Sequence, residues 1–205
     1  MKNYLPSFIT LLMLVRSGEF RLYDTGMKPL EADIPYYLVP VRTNDGGGIT
    51  TIETNSTCNV VRLSIDDLPS DAVILNHDKP QDYLNWIVEN LDLNIKFEPN
   101  NAGLCKNPIS NVLQAAQSDQ VTGQNFITLG GVQGNPGCGT IPYWFKIKQI
   151  FGEYSYKIVY CPDVCDLVTV ICRDVGVYDQ YAAFRRLVLT DGDPFIFRFH
   201  KKNPC

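Results

Sequence analysis

The chain is 205 residues long, 45% hydrophobic and 20% charged, with a formal net charge of −4. That length suffices for one domain with a sizeable core, and the composition excludes a disordered or collagen-like chain. The acidic balance excludes the Lys/Arg-rich surface that phosphates and sulfates require, so no nucleic-acid partner is expected.

The chain opens with Lys2 and an apolar run at residues 8–15, too short to cross a bilayer. Val15-Arg16-Ser17 supplies small or branched residues for cleavage after Ser17. Residues 1–17 are therefore expected to be a signal peptide and residues 18–205 a single domain, bound for the extracellular space or the vacuole. Loss of Lys2 and Arg16 would leave 16 basic against 22 acidic side chains, a net of −6. No later run is apolar enough to span a membrane, so no membrane partner is expected.

Short β-rich runs then succeed one another at residues 36–41, 60–64, 93–97, 143–147, 156–160, 187–189 and 195–199. Many alternate apolar and polar residues, as half-buried strands do. Turn chemistry divides them: Asp45-Gly46-Gly47-Gly48, Gly130-Gly131, Gly134-Asn135-Pro136-Gly137 and Asp191-Gly192-Asp193-Pro194. Many short strands at this spacing predict an all-β sandwich or barrel with very little helix. Residues 111–120 read equally as one turn of helix or as a loop. Trp86 reads as a core residue and His200 as a surface or packing residue. Asn55-Ser56-Thr57 is a glycosylation sequon between predicted strands.

Seven cysteines follow the leader: Cys58, Cys105, Cys138, Cys161, Cys165, Cys172 and Cys205. Behind a signal peptide they read as disulfides, and the odd count leaves one thiol free or bonded outside the chain. Cys161 and Cys165 are the one close pair, and both histidines, His77 and His200, lie far from them, so no zinc site is expected. The sequence has no Gly-x-Ser-x-Gly elbow, no His-Glu-x-x-His and no phosphate-cradling Gly-rich loop with Lys-Ser/Thr. The expectation is a binding protein and not an enzyme, with no catalytic residues and no cofactor. A ricin-type sugar-binding trefoil would carry Gln two residues before Trp. Here those positions are Leu84 and Pro142.

Several motifs in one order resemble the plant Kunitz (soybean trypsin inhibitor) family. The first is Leu22-Tyr23-Asp24-Thr25-Gly26 with Pro29-Leu30 and Tyr36-Tyr37-Leu38-Val39-Pro40. The others are Trp144-Phe145-Lys146-Ile147, Tyr156-Lys157-Ile158-Val159-Tyr160-Cys161-Pro162, Cys172-Arg173-Asp174-Val175-Gly176-Val177, Arg185-Arg186-Leu187-Val188-Leu189 and Pro194-Phe195. Cys161-Pro162-Asp163-Val164-Cys165 is similar to the miraculin-like branch in particular. The resemblance implies a disulfide-bonded β-trefoil of twelve strands in three pseudo-symmetric repeats. It also implies the pairs Cys58–Cys105 and Cys161–Cys172. In the miraculin-like branch the cysteine matching Cys165 pairs three residues on, where this chain has Val168. Cys165 is left with Cys138 or Cys205, and the remaining thiol could join two copies into a disulfide-linked homodimer.

Family inhibitors insert a rigid exposed loop into a protease, and the P1 side chain fills the S1 pocket. The resemblance places that reactive loop at Lys79, Pro80, Gln81, Asp82, Tyr83 and Leu84. Counting from Cys58 puts Asp82 at P1, and counting back from Ile95 puts Tyr83 there. Neither is basic, and Lys79 precedes a proline that constrains the backbone. The family's loop-bracing Asn falls at Ala32, which cannot hydrogen-bond through its side chain. Asp33 is the neighbouring substitute. Residues 66–98 carry Asp66, Asp67, Asp71, Asp78, Asp82, Glu89, Asp92 and Glu98 against Lys79 and Lys96, a face that would repel an acidic S1 pocket. The expected function is a secreted Kunitz-type inhibitor with weak or absent action on trypsin, its partner a chymotrypsin-like, cysteine or aspartic protease. The alternative is a miraculin-like non-inhibitory protein of defence or storage.

Overall fold

Burial alternates along the first strand, β1 (Pro35–Pro40), where Tyr36, Leu38 and Pro40 point inward. A computed structural model describes residues 20–42, 47–62, 71–78, 85–98, 105, 110–150, 154–181 and 184–203. After β1 come β2 (Ile49–Thr54), β3 (Thr57–Arg62) and β4 (Val73–Asn76). A second set is β5 (Asn94–Phe97), β6 (Val112–Ala115), β7 (Ile127–Gly131) and β8 (Lys146–Gln149). A third is β9 (Tyr156–Tyr160), β10 (Arg173–Tyr181), β11 (Phe184–Thr190) and β12 (Phe197–Lys201). The described residues are all-β apart from one 3₁₀ turn, Ile141–Tyr143, nucleated by Pro142.

The pairing pattern repeats through the three sets. Strands β1 and β4, and β9 and β12, pair within their sets, and the bridge Leu93↔Phe145 joins the starts of β5 and β8. Between sets, β4 pairs with β5, β8 with β9, and β12 with β1. These six pairings close a barrel and leave no free edge within it. The middle strands form hairpins β2–β3, β6–β7 and β10–β11. The hairpins meet one another through Asn59↔Thr128, Arg186↔Val61 and the bridge Phe126↔Val188.

Aromatic side chains fill the barrel. Tyr36, Tyr156, Phe197 and Phe199 are fully buried. The Phe199 ring lies 5.1 Å from Phe197, 5.5 Å from Tyr156 and 5.8 Å from Tyr36, tilted or edge-on as ring quadrupoles favour. Each such burial contributes roughly 1.5–3 kcal/mol. Burial pushes the Tyr156 phenol above its ordinary range. Its hydroxyl donates to the Tyr23 carbonyl at 3.0 Å and accepts from the Tyr23 amide at 2.9 Å. The N-terminal segment is thereby fixed to the barrel. Gly176 is required by close approach, since a Cβ there would sit 2.7 Å from the Asp193 carbonyl oxygen.

Two sequence expectations change. Residues 112–115 of the ambiguous stretch are strand β6, neither helix nor loop, because Leu113 buries against the core while the backbone pairs with β7. Tyr143 is not part of a strand, because Pro142 holds it in the 3₁₀ turn and β8 starts at Lys146.

Candidate functional site

The segment of six residues assigned to the reactive loop, Lys79, Pro80, Gln81, Asp82, Tyr83 and Leu84, lies outside the described residues. Its two bases are described. The incoming base is the end of β4, with Leu75 and Asn76 buried, His77 half-buried and Asp78 exposed. The outgoing base is Asn85, Trp86, Ile87 and Val88.

Residues 20–33 run across both bases and stitch them together. Leu22 donates its amide to Ile87 at 3.1 Å, and Ile87 donates back to Leu30 at 2.8 Å. The Ala32 amide reaches the Asn85 carbonyl at 2.8 Å, while the next amide, Asp33, reaches Leu75 on the other base at 3.1 Å. Two successive peptide groups in the turn at residues 32–33 therefore tie the two ends of the loop to one segment. Asp24 supports this segment from below. Buried itself, its carboxylate accepts from the Gly26 amide at 2.8 Å and the Lys28 amide at 3.0 Å.

Ala32 buries its methyl group and contributes only backbone to the clasp. Asp33 is held in the left-handed region at φ 63°, which Asp tolerates better than most residues. That turn aims its carboxylate at Asn76, whose amide nitrogen donates to it. The side-chain brace thus acts on the incoming base, one residue along from where the resemblance puts it. The Asn76 side-chain oxygen is buried and has no partner among the described residues.

Trp86 is half-buried at the outgoing base, with the Arg21 guanidinium 5.2 Å from its ring centre. Its indole nitrogen is buried while the side chain as a whole is only partly enclosed. Beside the loop base a cleft of about 480 Å³ is bordered by Asp78, Glu89, Asp92, Trp144, Lys146 and Asp163. Lys146 is buried, 2.8 Å from the Asp163 carboxylate and 3.8 Å from that of Asp92.

The acidic face read from residues 66–98 is smaller than its residue count. Asp71 is buried and accepts from the Thr50 hydroxyl at 2.5 Å. Burial raises its carboxyl above the ordinary range, and the hydrogen bonds from Thr50 and the Thr51 amide oppose that rise. Asp92 faces Lys146, Glu98 pairs with Lys202, and Glu89 accepts from the Gln149 amide at 3.0 Å. Asp66, Asp67 and Asp82 lie outside the described residues.

Three disulfides frame the molecule. Cys58 on β3 bonds Cys105 with Cα atoms 5.7 Å apart, Cys161 bonds Cys172 at 4.4 Å, and Cys138 bonds Cys165 at 4.8 Å. Cys205 lies outside the described residues. Asn55 and Ser56 form the two-residue tip of the β2–β3 hairpin, with φ of 49° and 60° and both side chains exposed. His200 is exposed on β12, its Nδ1 2.9 Å from the Thr25 hydroxyl.

Sequence reasoning missed the clasp made by the Ala32 and Asp33 amides. Backbone donors carry no residue signature, and the left-handed turn at Asp33 has no Gly or Asn to announce it.

A family model for trypsin and protease inhibitors of the legume Kunitz type matches residues 22–201. Miraculin from Synsepalum dulcificum is 37% identical over 200 residues, covering 93% of this chain and 87% of that protein. Kunitz trypsin inhibitor 5 from Arabidopsis thaliana is 36% identical over 168 residues, covering 82% and 79%. Among solved structures, a Kunitz-type cysteine protease inhibitor from potato superposes with a TM-score of 0.73 at 28% identity, covering 90% of this chain and 98% of that one.

Proposed function

Because the chain belongs to the Kunitz family of plant trypsin and protease inhibitors, we propose that it binds a protease through the 79–84 loop and acts poorly on trypsin. The observation that carries this reading is the clasp. Both loop bases are tied to residues 32 and 33, so the two ends from which a binding segment would project are fixed before any partner arrives, which lowers the ordering cost of binding. The segment itself offers Asp82 or Tyr83 at P1, and neither complements an acidic S1 pocket. A chymotrypsin-like, cysteine or aspartic protease suits it better. The test is an inhibition panel over trypsin, chymotrypsin, papain and a pepsin-like enzyme. Nanomolar inhibition of trypsin would refute the reading of P1, and no inhibition of any class at micromolar protein would refute the inhibitor reading.

A second reading is a miraculin-like protein without inhibitory action, serving defence or storage. Ala32 favours it, since the side-chain brace expected at that position is missing. We read the three four-strand sets as the repeats of a β-trefoil, supported by the barrel closed by six pairings and the three hairpins that meet across it. We also propose that residues 1–17 are cleaved and that the protein is exported to the extracellular space or the vacuole. A glycan on Asn55 would extend from an exposed hairpin tip, and treatment with an N-glycosidase would reveal it as a gel shift. With six of the seven cysteines paired, Cys205 is the thiol proposed to link two copies, which a non-reducing gel would test.

A further inference from the structure

We propose that residues 166–171 are a second protease-binding segment, with Leu167 entering the apolar S1 pocket of a chymotrypsin-like enzyme. The proposal rests on the inhibitor reading above but uses a different loop. Soluble domains seldom leave several large apolar side chains bare in one short stretch. Here Leu167 is 89% exposed, Ile171 79% and Val168 51%.

The stretch is held as an inhibitory loop must be. Cys161 and Cys172 close its base, with Cα atoms 4.4 Å apart. Cys165, just ahead of the exposed residues, is bonded to Cys138. Cys138 belongs to a turn fastened by the Thr140 hydroxyl, which donates to the Asn135 carbonyl at 2.8 Å and accepts from the Trp144 indole at 3.2 Å. Asp163 anchors the first half, its amide 3.3 Å from the Asp92 carboxylate and its carboxylate 2.8 Å from the Lys146 amine. At the far end Val170 turns back to line a groove with Tyr160 and Leu189. Between these anchors residues 166–169 are exposed, with Asp166 and Leu167 in a turn. Covalent restraint and a projecting apolar row lower the ordering cost of presenting such a segment to a protease cleft.

The chemistry selects the enzyme class. Residues 162–171 contain no Lys or Arg, and their two charges are Asp163 and Asp166. Asp163 is already matched by Lys146. An acidic S1 pocket therefore has no counterpart here, whereas an apolar one accepts Leu167.

The experiment measures inhibition constants of the mature protein against chymotrypsin and trypsin for wild type, Leu167→Glu, Leu167→Lys and Tyr83→Ala. Because Leu167 is almost fully exposed, its variants should melt as the wild type does, and a thermal scan checks this. The expected result is chymotrypsin inhibition that survives Tyr83→Ala, weakens about 100-fold or more with Leu167→Glu, and gives way to trypsin inhibition with Leu167→Lys. The proposal is overturned if Leu167→Glu leaves the chymotrypsin constant within about twofold of wild type, or if Leu167→Lys gains nothing on trypsin. Loss of chymotrypsin inhibition on Tyr83→Ala alone would overturn it while leaving the 79–84 reading intact.

Discussion

Replacing Asp33 tests whether the brace on the loop base contributes to the fold or is incidental to it. The substitution Asp33→Ala does two things at once. It removes the carboxylate that accepts from the Asn76 amide, and Asn76 is 5% exposed, so its donor loses a partner where water is scarce. Leaving a buried donor unpaired costs about 1–3 kcal/mol, and the exposed position of Asp33 puts the loss in the lower half of that range. It also places a Cβ-bearing residue with no local side-chain hydrogen bond at φ 63°, a further cost of about 1 kcal/mol. The total is roughly 2–3 kcal/mol, a fall in Tm of about 2–4 °C for each kcal/mol in a domain of this size. Two companions separate the contributions. Asp33→Gly relieves the backbone and keeps only the hydrogen-bond loss, while Asp33→Asn keeps an acceptor oxygen and a side chain suited to that φ. The expected order of urea midpoints is wild type, then Asn, then Gly, then Ala, with unchanged m-values. Equal midpoints for Ala and wild type, or an Asn variant as weak as Ala, would refute the reasoning.

Three further outcomes follow from the geometry. The double variant Cys58→Ser with Cys105→Ser opens a 47-residue span and should lose about 4 kcal/mol in urea unfolding, while a loss under about 1 kcal/mol would contradict the chain-entropy estimate. Gly176→Ala drives a Cβ to within 2.7 Å of the Asp193 carbonyl and should cost about 1–3 kcal/mol; a melting temperature equal to wild type would show that the 191–194 turn yields freely. The raised carboxyl of Asp71 means that the folded state favours its protonated form, so its contribution is full below the ordinary carboxylate range and is lost as pH rises through the raised value. Asp71→Asn removes that loss, so its stability relative to wild type should climb as pH rises through the acid range and level off near neutrality. A gap between the two proteins that does not vary with pH would contradict this.

The strands richest in aromatic and β-branched residues were legible from sequence. Residues 36–40, 94–97, 156–160 and 197–199 are strands because their alternation already encodes an inner and an outer side. Strand β6 was not legible. Only Val112 and Leu113 of its four residues are buried, and its conformation comes from pairing with β7 across a turn region. Cys165 had two candidate partners because chain spacing carries no distance between loops, and the choice of Cys138 required the folded 132–140 turn. At the loop base, the lack of a side-chain brace at Ala32 was readable from residue identity alone. The rotation that lets Asp33 reach Asn76 was not, because it depends on a backbone angle that Asp permits without requiring it.

Strand β1 lies against β12, with Tyr36 opposite Lys201. The earliest strand to be synthesised therefore has to wait for the last before its neighbour exists. During synthesis the inward side of β1 has only β4 beside it, so Tyr36 and Leu38 stay exposed to misassociation until residues 197–201 have emerged. Pairings so distant along the polypeptide slow the search for the native state, because loop closure costs entropy before contacts repay it. Joining the chain beyond residues 20 and 203 by a linker and opening it at the exposed 55–56 hairpin tip would redistribute that waiting time while keeping residues 20–34 on the barrel.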